Sequence, residues 1–248
     1  MNALSRYFVI SLILSCSTFS AHGVLYYVTG MDDITTPDLS NTLVAATHAA
    51  EQRDFSRACT FLDDAMAMNY SAEFDLRDDV NGPLELQILS MKAFFMSRPH
   101  NQGDPDILQL VQDTLHRFRN IGENTHCYPY IDLHHRLIEY YTHHENYEKA
   151  QEVADTLLRL DPGQIQYYLI WAYGRVAPTT IQEKIDAYEA HHGTVEPYMA
   201  FLRIRLRKDQ GENVFDATRD FIRNYPTKNF DDALKFLRAS VDTADIEN

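Results

Sequence analysis

The sequence has few basic residues. It contains 22 lysines and arginines against 36 aspartates and glutamates, so its formal net charge is -14. A chain with this balance repels a phosphate backbone and lacks the cations whose binding releases counterions from DNA or RNA. We therefore expect no nucleic-acid partner. Acidity of this size commonly serves solubility, so it does not by itself indicate a ligand.

Cysteine is also scarce, with Cys16, Cys59 and Cys127 the only three. None belongs to a CxxC pair, which excludes the common redox and zinc motifs. Cys59 and Cys127 can form one disulfide in an oxidising compartment or remain two buried thiols, and the sequence leaves both open. The chain also lacks GxxxxGK[ST], GxSxG and GxGxxG. We expect no cofactor and no catalytic residues.

Residues 1–23 have the layout of an export signal. Arg6 precedes an apolar run over residues 7–14, which is too short to cross a bilayer because a spanning helix needs about 20 residues. Residues 13–16 resemble a bacterial lipoprotein cleavage box, with Cys16 as the lipidated residue. Residues 21–23 instead resemble an ordinary signal-peptidase site. The sequence thus predicts export, either to the periplasm, to the outer membrane as a lipoprotein attached through Cys16, or into the medium.

The rest of the chain reads as helices separated by short polar turns. Residues 24–38 form a predicted extended arm, in which only 24–30 looks β-like, and 39–248 form the helical domain. Pro follows Gly82, Asp104 and Glu196, where it favours a helix start. Apolar residues recur at spacings of three and four residues, which predicts an all-α fold of about eleven helices. The predicted helices span 40–52, 55–68, 83–98, 105–121, 130–144, 147–160, 164–175, 179–192, 195–209, 213–224 and 229–242.

Residues 131–164 resemble a tetratricopeptide repeat. Leu137 and Tyr141 match the apolar and aromatic positions of the first helix, and Ala150 matches the small position of the second. Ala150 must be small because the two helices cross there, and Pro162 ends the repeat because it stops the second helix. Two further segments, around Ala58 and Ala217, resemble the same repeat less closely. The full set of predicted repeat residues is Ala58, Leu137, Tyr141, Tyr147, Ala150, Leu160, Pro162 and Ala217.

The resemblance implies an architecture and a binding surface. It covers residues 39–226 and implies a right-handed α-solenoid of about five helix pairs, with 229–242 as a C-terminal capping helix. Family members bind partners in the concave groove, mainly through the first helix of each pair. The matching positions hold Asp132, His135, Glu139, Thr142 and His143.

The charges at these positions suggest the kind of ligand. Some family members grip a C-terminal carboxylate with lysine, arginine and asparagine at the groove positions. The five residues here include none of these, so the resemblance disfavours a carboxylate-tailed ligand and favours a basic or polar peptide.

The histidines of the same helix raise the possibility of a metal. His134, His135, His143 and His144 lie near Glu139 in sequence, and zinc accepts two histidines with a carboxylate. The stretch lacks both HExxH and HxxEH, so the metalloprotease arrangement is missing. We expect no metal. A solvated or groove-lining face and a pH-sensitive binding site both remain open.

These observations favour a non-enzymatic scaffold of the bacterial cell envelope that binds a protein or peptide partner, with no small-molecule substrate. Three alternatives remain. The stretch RLIEYYTHHENYEKA and the lipoprotein-like start resemble the helical-repeat lipoproteins of outer-membrane β-barrel assembly. A secretion-system component and a metal-dependent enzyme using the His and Glu stripe are the others.

Overall fold

The computed structural model describes residues 37–68, 82–98, 104–122, 127–193 and 196–225. Within these ranges every regular element is helical, with eleven α-helices, one 3₁₀ turn and no strand, so the predicted all-α class is confirmed. The predicted export segment 1–23 with Cys16, the β-like stretch 24–30 and the capping helix 229–242 lie outside the described residues. No helix among the described residues is both long and apolar enough to span a membrane.

The chain divides into two compact units between Pro162 and Gly163. The helices of the first unit are α1 (Pro37–Glu51), α2 (Phe55–Ala67), α3 (Leu84–Met96), α4 (Pro105–Arg117), α5 (Arg119–Gly122), α6 (Tyr128–His143) and α7 (Tyr147–Leu160). Consecutive helices α1 to α4 pack pairwise, α6 packs on both α3 and α4, and α7 packs on α6.

The second unit follows the 3₁₀ turn Pro162–Gln164. Its helices also pack in sequence order, each on the next. They are α8 (Ile165–Ala172), α9 (Pro178–His192), α10 (Pro197–Asp209) and α11 (Phe215–Asn224).

Helix starts follow the local sequence. The Asp104 carboxylate accepts a hydrogen bond from the Asp106 N–H at 2.9 Å, and α4 begins at Pro105 as predicted. Pro197 begins α10, also as predicted. Pro83 differs because its backbone is extended, with ψ 144°, so α3 begins one residue later. Helix α1 begins at Pro37, so it includes the last two residues of the predicted arm 24–38.

Helix α3 lies between two hydrophobic cores of the first unit. One side joins α1 and α2, where Leu43, Leu62 and Ile88 are buried. The other joins α4 and α6, where Val111 and Leu133 are buried. A helix that is apolar on all sides must be covered on more than one side. This burial fixes α3 against α6, which carries the predicted binding residues.

The predicted small-residue positions are buried to different extents. Ala58 on α2 and Ala150 on α7 are completely buried, whereas Ala217 on α11 is partly buried. Helices α6 and α7 pack on each other, as the crossing role of Ala150 requires.

The larger predicted repeat residues differ in how deeply they are buried. Leu137 is buried in the second core, and Tyr141 and Leu160 pack against it. Helix α7 ends at Leu160 and Pro162 begins the 3₁₀ turn, as expected of a helix-stopping proline. Tyr147 is 40% exposed, because it is the first residue of α7 and lies beyond the packed part of the hairpin.

Cys59 and Cys127 are both thiols and form no disulfide. Cys127 is buried immediately before α6 and faces the turn that precedes α3. A β-carbon placed on Gly82 would lie 2.6 Å from the Cys127 Sγ atom, and Gly82 has a positive φ of 64°. Glycine is therefore required at this close approach.

Candidate partner-binding face

All five predicted groove residues lie on α6, between Asp132 and His143. The first three, Asp132, His135 and Glu139, are half-buried. Thr142 is half-buried near the end of the helix, and His143 is exposed. Only the first three belong to a connected group of polar side chains.

Arg136 is the centre of this group. Its side chain is only 5% exposed, and its Nη1 donates to Glu139 Oε2 at 2.6 Å while its Nη2 donates to Asp132 Oδ1 at 3.2 Å. The spacings i,i+3 and i,i+4 place the three side chains on one side of α6. None of the five predicted positions holds a lysine or arginine, but the buried guanidinium of Arg136 lies between two of their carboxylates.

Helix α3 supplies the second wall of the face. Ser90 Oγ donates to Asp132 Oδ2 at 3.3 Å. The guanidinium carbon of Arg136 lies 5.0 Å from the centre of the Phe94 ring, and that of Arg98 lies 4.2 Å from the same ring. Both distances are within the range of cation–π attraction. The seven residues that form this α3–α6 face are Ser90, Phe94, Arg98, Asp132, His135, Arg136 and Glu139.

Arg98 differs from Arg136 in its partners. It is half-buried one residue beyond the end cap of α3, and no carboxylate of the described residues lies within ion-pairing distance of its guanidinium. Burial lowers the pKa of Arg98, and the charge of Arg136 lowers it further, whereas Glu139 and Asp132 act in the opposite direction. The guanidinium is thus a partly desolvated cation that rests on an aromatic ring.

The two adjacent histidines of α6 have different environments. His135 Nδ1 lies 4.0 Å from Asp132 Oδ1, at the edge of the α3–α6 face. His134 is buried, and its Nδ1–H donates to the Tyr130 carbonyl at 2.9 Å. Burial lowers the pKa of His134 despite that hydrogen bond, and the nearby charge of Arg159 lowers it further. His134 therefore belongs to the core and not to the binding face.

The remaining predicted residues do not join this group. The Thr142 hydroxyl donates to the Ile138 carbonyl at 2.6 Å, so it is engaged within its own helix. The His143 ring packs edge-on against His144 at 5.6 Å. Glu139 pairs with Arg136 and not with a histidine. Across the part of the chain that the structure describes, no three His, Cys, Asp or Glu side chains are grouped so that they could hold a metal ion.

A second concave surface lies in the second unit, between α9, α10 and α11. It encloses about 800 Å³, and Ile204 and Phe221 are among its apolar lining residues. Arg207 Nε pairs with Glu212 at 2.7 Å, and Arg203 pairs with Glu189 at 2.7 Å. Its two arginines thus already have carboxylate partners within the unit. No pattern in the sequence predicts this groove.

Four residues of the α3–α6 face were not predicted, namely Ser90, Phe94, Arg98 and Arg136. The position of Arg136 in the sequence does indicate that it lies beside the predicted carboxylates. It comes four residues after one of them and three before another, and both spacings place side chains on the same side of a helix. The α3 residues had none, because their contacts with α6 join segments about forty positions apart.

Comparison with known proteins identifies no relative. No family model matches the chain. Neither a curated protein nor a solved structure matches it.

Proposed function

We propose that the protein is a non-enzymatic scaffold of the bacterial cell envelope, organised as a helical-repeat solenoid, that binds a partner protein or peptide through the α3–α6 face. The observation that carries the proposal is the buried Arg136, which holds Asp132 and Glu139 at fixed positions while both carboxylates remain partly open to solvent. Fixed polar groups at a partly open face lose little conformational freedom on binding and so favour recognition.

The chemistry of the face supports binding more than catalysis. The guanidinium groups of the face donate hydrogen bonds and its carboxylates accept them, while the Phe94 ring supplies an apolar contact surface. The formal charges of Arg98 and Arg136 balance those of Asp132 and Glu139. The basic peptide expected from the sequence is therefore no longer favoured, and a polar partner of mixed charge fits the face better.

Affinity capture from cross-linked cells tests the proposal. The test variant combines His135→Ala and Glu139→Ala. The control variant combines His191→Ala and Glu183→Ala, which removes the same residue types from α9 in the second unit. We expect the wild type and the control to enrich the same envelope protein, identified by mass spectrometry, and the test variant to lose it.

The control also separates the two concave surfaces. Capture of one partner by the wild type and the test variant alike would place binding elsewhere and refute the proposed face. Loss of the partner only from the control variant would transfer the site to the groove of the second unit, which Glu183 lines.

A further inference from the structure

The α3–α6 face holds two guanidinium groups over one aromatic ring, and only one of them has carboxylate partners. Arg136 is paired on both sides within α6. Arg98 lies closer to the Phe94 ring than Arg136 does, yet it forms no ion pair with a carboxylate of the described residues. The ring holds the Arg98 guanidinium in position without using its N–H donors, because a cation–π contact leaves the edge of the guanidinium open.

The surroundings of Arg98 make an added anion favourable at short range. The guanidinium is half-buried and is repelled by Arg136, so its charge is costly in the unbound protein. A carboxylate that reached it would accept two parallel hydrogen bonds in the bidentate geometry for which arginine is suited. The net charge of -14 opposes an acidic partner at long range. That field is screened beyond about 8 Å at physiological ionic strength, so a contact at hydrogen-bonding distance is little affected.

The nearby carboxylates restrict the charge of the ligand. Asp132 and Glu139 lie close enough to influence Arg98. A doubly charged phosphate would meet stronger repulsion from these two groups than a singly charged carboxylate would. The site therefore fits an aspartate or glutamate side chain better than a phosphorylated residue.

We propose that Arg98 is the anchor for an aspartate or glutamate side chain of the partner protein, held over the Phe94 ring beside the Arg136 cluster. This inference rests on the proposed function, since it names the chemical group that the α3–α6 face recognises. It reverses the ligand preference that the α6 residues alone suggested.

Selection of random twelve-residue peptides displayed on phage tests both proposals with the full-length protein. We expect the wild type to enrich peptides that contain aspartate or glutamate, and Arg98→Gln to lose that preference. Arg57→Gln is the matched control, because Arg57 also lies over a phenylalanine ring, 5.4 Å from the centre of Phe61, but is exposed on α2. It should select the same peptides as the wild type.

A double-mutant cycle with the most enriched acidic peptide makes the test quantitative. Replacing its acidic residue by the matching amide should weaken binding to the wild type by about tenfold and should leave binding to Arg98→Gln almost unchanged. Enriched peptides without an acidic residue, or an equal loss in both proteins, would overturn the Arg98 assignment while leaving the scaffold function standing. Failure to enrich any peptide above the bare support would count against the scaffold function itself.

Discussion

Arg136 and Glu139 are joined by an ion pair of 2.6 Å between Nη1 and Oε2, one turn apart on α6. The arginine side chain is 5% exposed, whereas that of the glutamate is 33% exposed. The cation thus belongs to the protein interior and the carboxylate to its boundary with solvent. This difference lets one buried residue fix the outward-facing groups of the α3–α6 face.

Arg136→Met should destabilise the first unit. The substitution removes the cation between Asp132 and Glu139 and leaves two half-buried carboxylates beside each other. Removing one partner of a buried pair costs about 3 to 5 kcal/mol, and partial access of these carboxylates to water should reduce the loss to about 2 kcal/mol. Urea unfolding followed by circular dichroism measures it.

The control is Arg117→Met, which breaks the ion pair of Arg117 with Glu85 between α4 and α3. The Arg117 side chain is 60% exposed, so the expected loss is only about 0 to 1 kcal/mol. Equal losses in the two variants would show that Arg136 does not organise the face.

His134 should make the first unit less stable in acid. Its pKa in the folded protein is lowered from 6.5, so the unfolded chain takes up the proton first. The contribution of the neutral ring is complete above pH 6.5 and is lost as the pH falls below that value toward the folded-state pKa. The melting temperature should therefore fall less between pH 7.5 and pH 5.0 in His134→Gln than in the wild type.

His143→Gln is the control for this pH effect, because His143 is exposed at the end of the same helix. It should keep the pH dependence of the wild type. If His134→Gln and the wild type lost the same number of degrees on acidification, the burial of the imidazole would not be the cause.

Ala150→Leu should destabilise the α6–α7 hairpin. Ala150 is completely buried on α7, so the added methyl groups must displace packed neighbours, at a cost of about 1 to 3 kcal/mol. Thermal unfolding measures the loss. Ala187→Leu adds the same groups to an exposed position of α9 and should leave the melting temperature nearly unchanged. An unchanged melting temperature in Ala150→Leu would mean that the predicted repeat register is wrong.

Helices and their starts could be predicted from the sequence, because their causes are local. The Asp104 cap and the proline after it are adjacent, and the small Ala150 lies within a regular apolar pattern. The grouping on α6 was only partly predictable. Asp132, His135 and Glu139 do lie together, but the arginine that joins two of them was not among the predicted site residues.

The α3 half of the face depended on tertiary packing. Phe94 reads as one more apolar residue of α3, and nothing local indicates that its ring lies under two arginines. Likewise, the opposite environments of His134 and His135 follow from which side of α6 is covered, and this is set by α3, α4 and α7 together.

Export should leave a characteristic N-terminus on the mature protein. The sequence predicts that, on expression in bacteria, the chain begins either at a lipid-modified Cys16 or after Gly23. Mass spectrometry of the intact protein separates these products, and incorporation of labelled palmitate that is lost in Cys16→Ala identifies the first. A mature chain that still begins at Met1 would refute the export signal.

The close approach of Gly82 to Cys127 provides a built-in kinetic probe. Because Cys127 is only 1% exposed and its sulfur lies next to Gly82 in the turn before α3, we expect a maleimide to reach that thiol when the start of α3 separates from the start of α6. Cys59 is half-buried and needs no such separation. Cys127 should therefore be labelled more slowly than Cys59. Its labelling rate reports how often the contact between α3 and α6 opens, and the binding face depends on that contact.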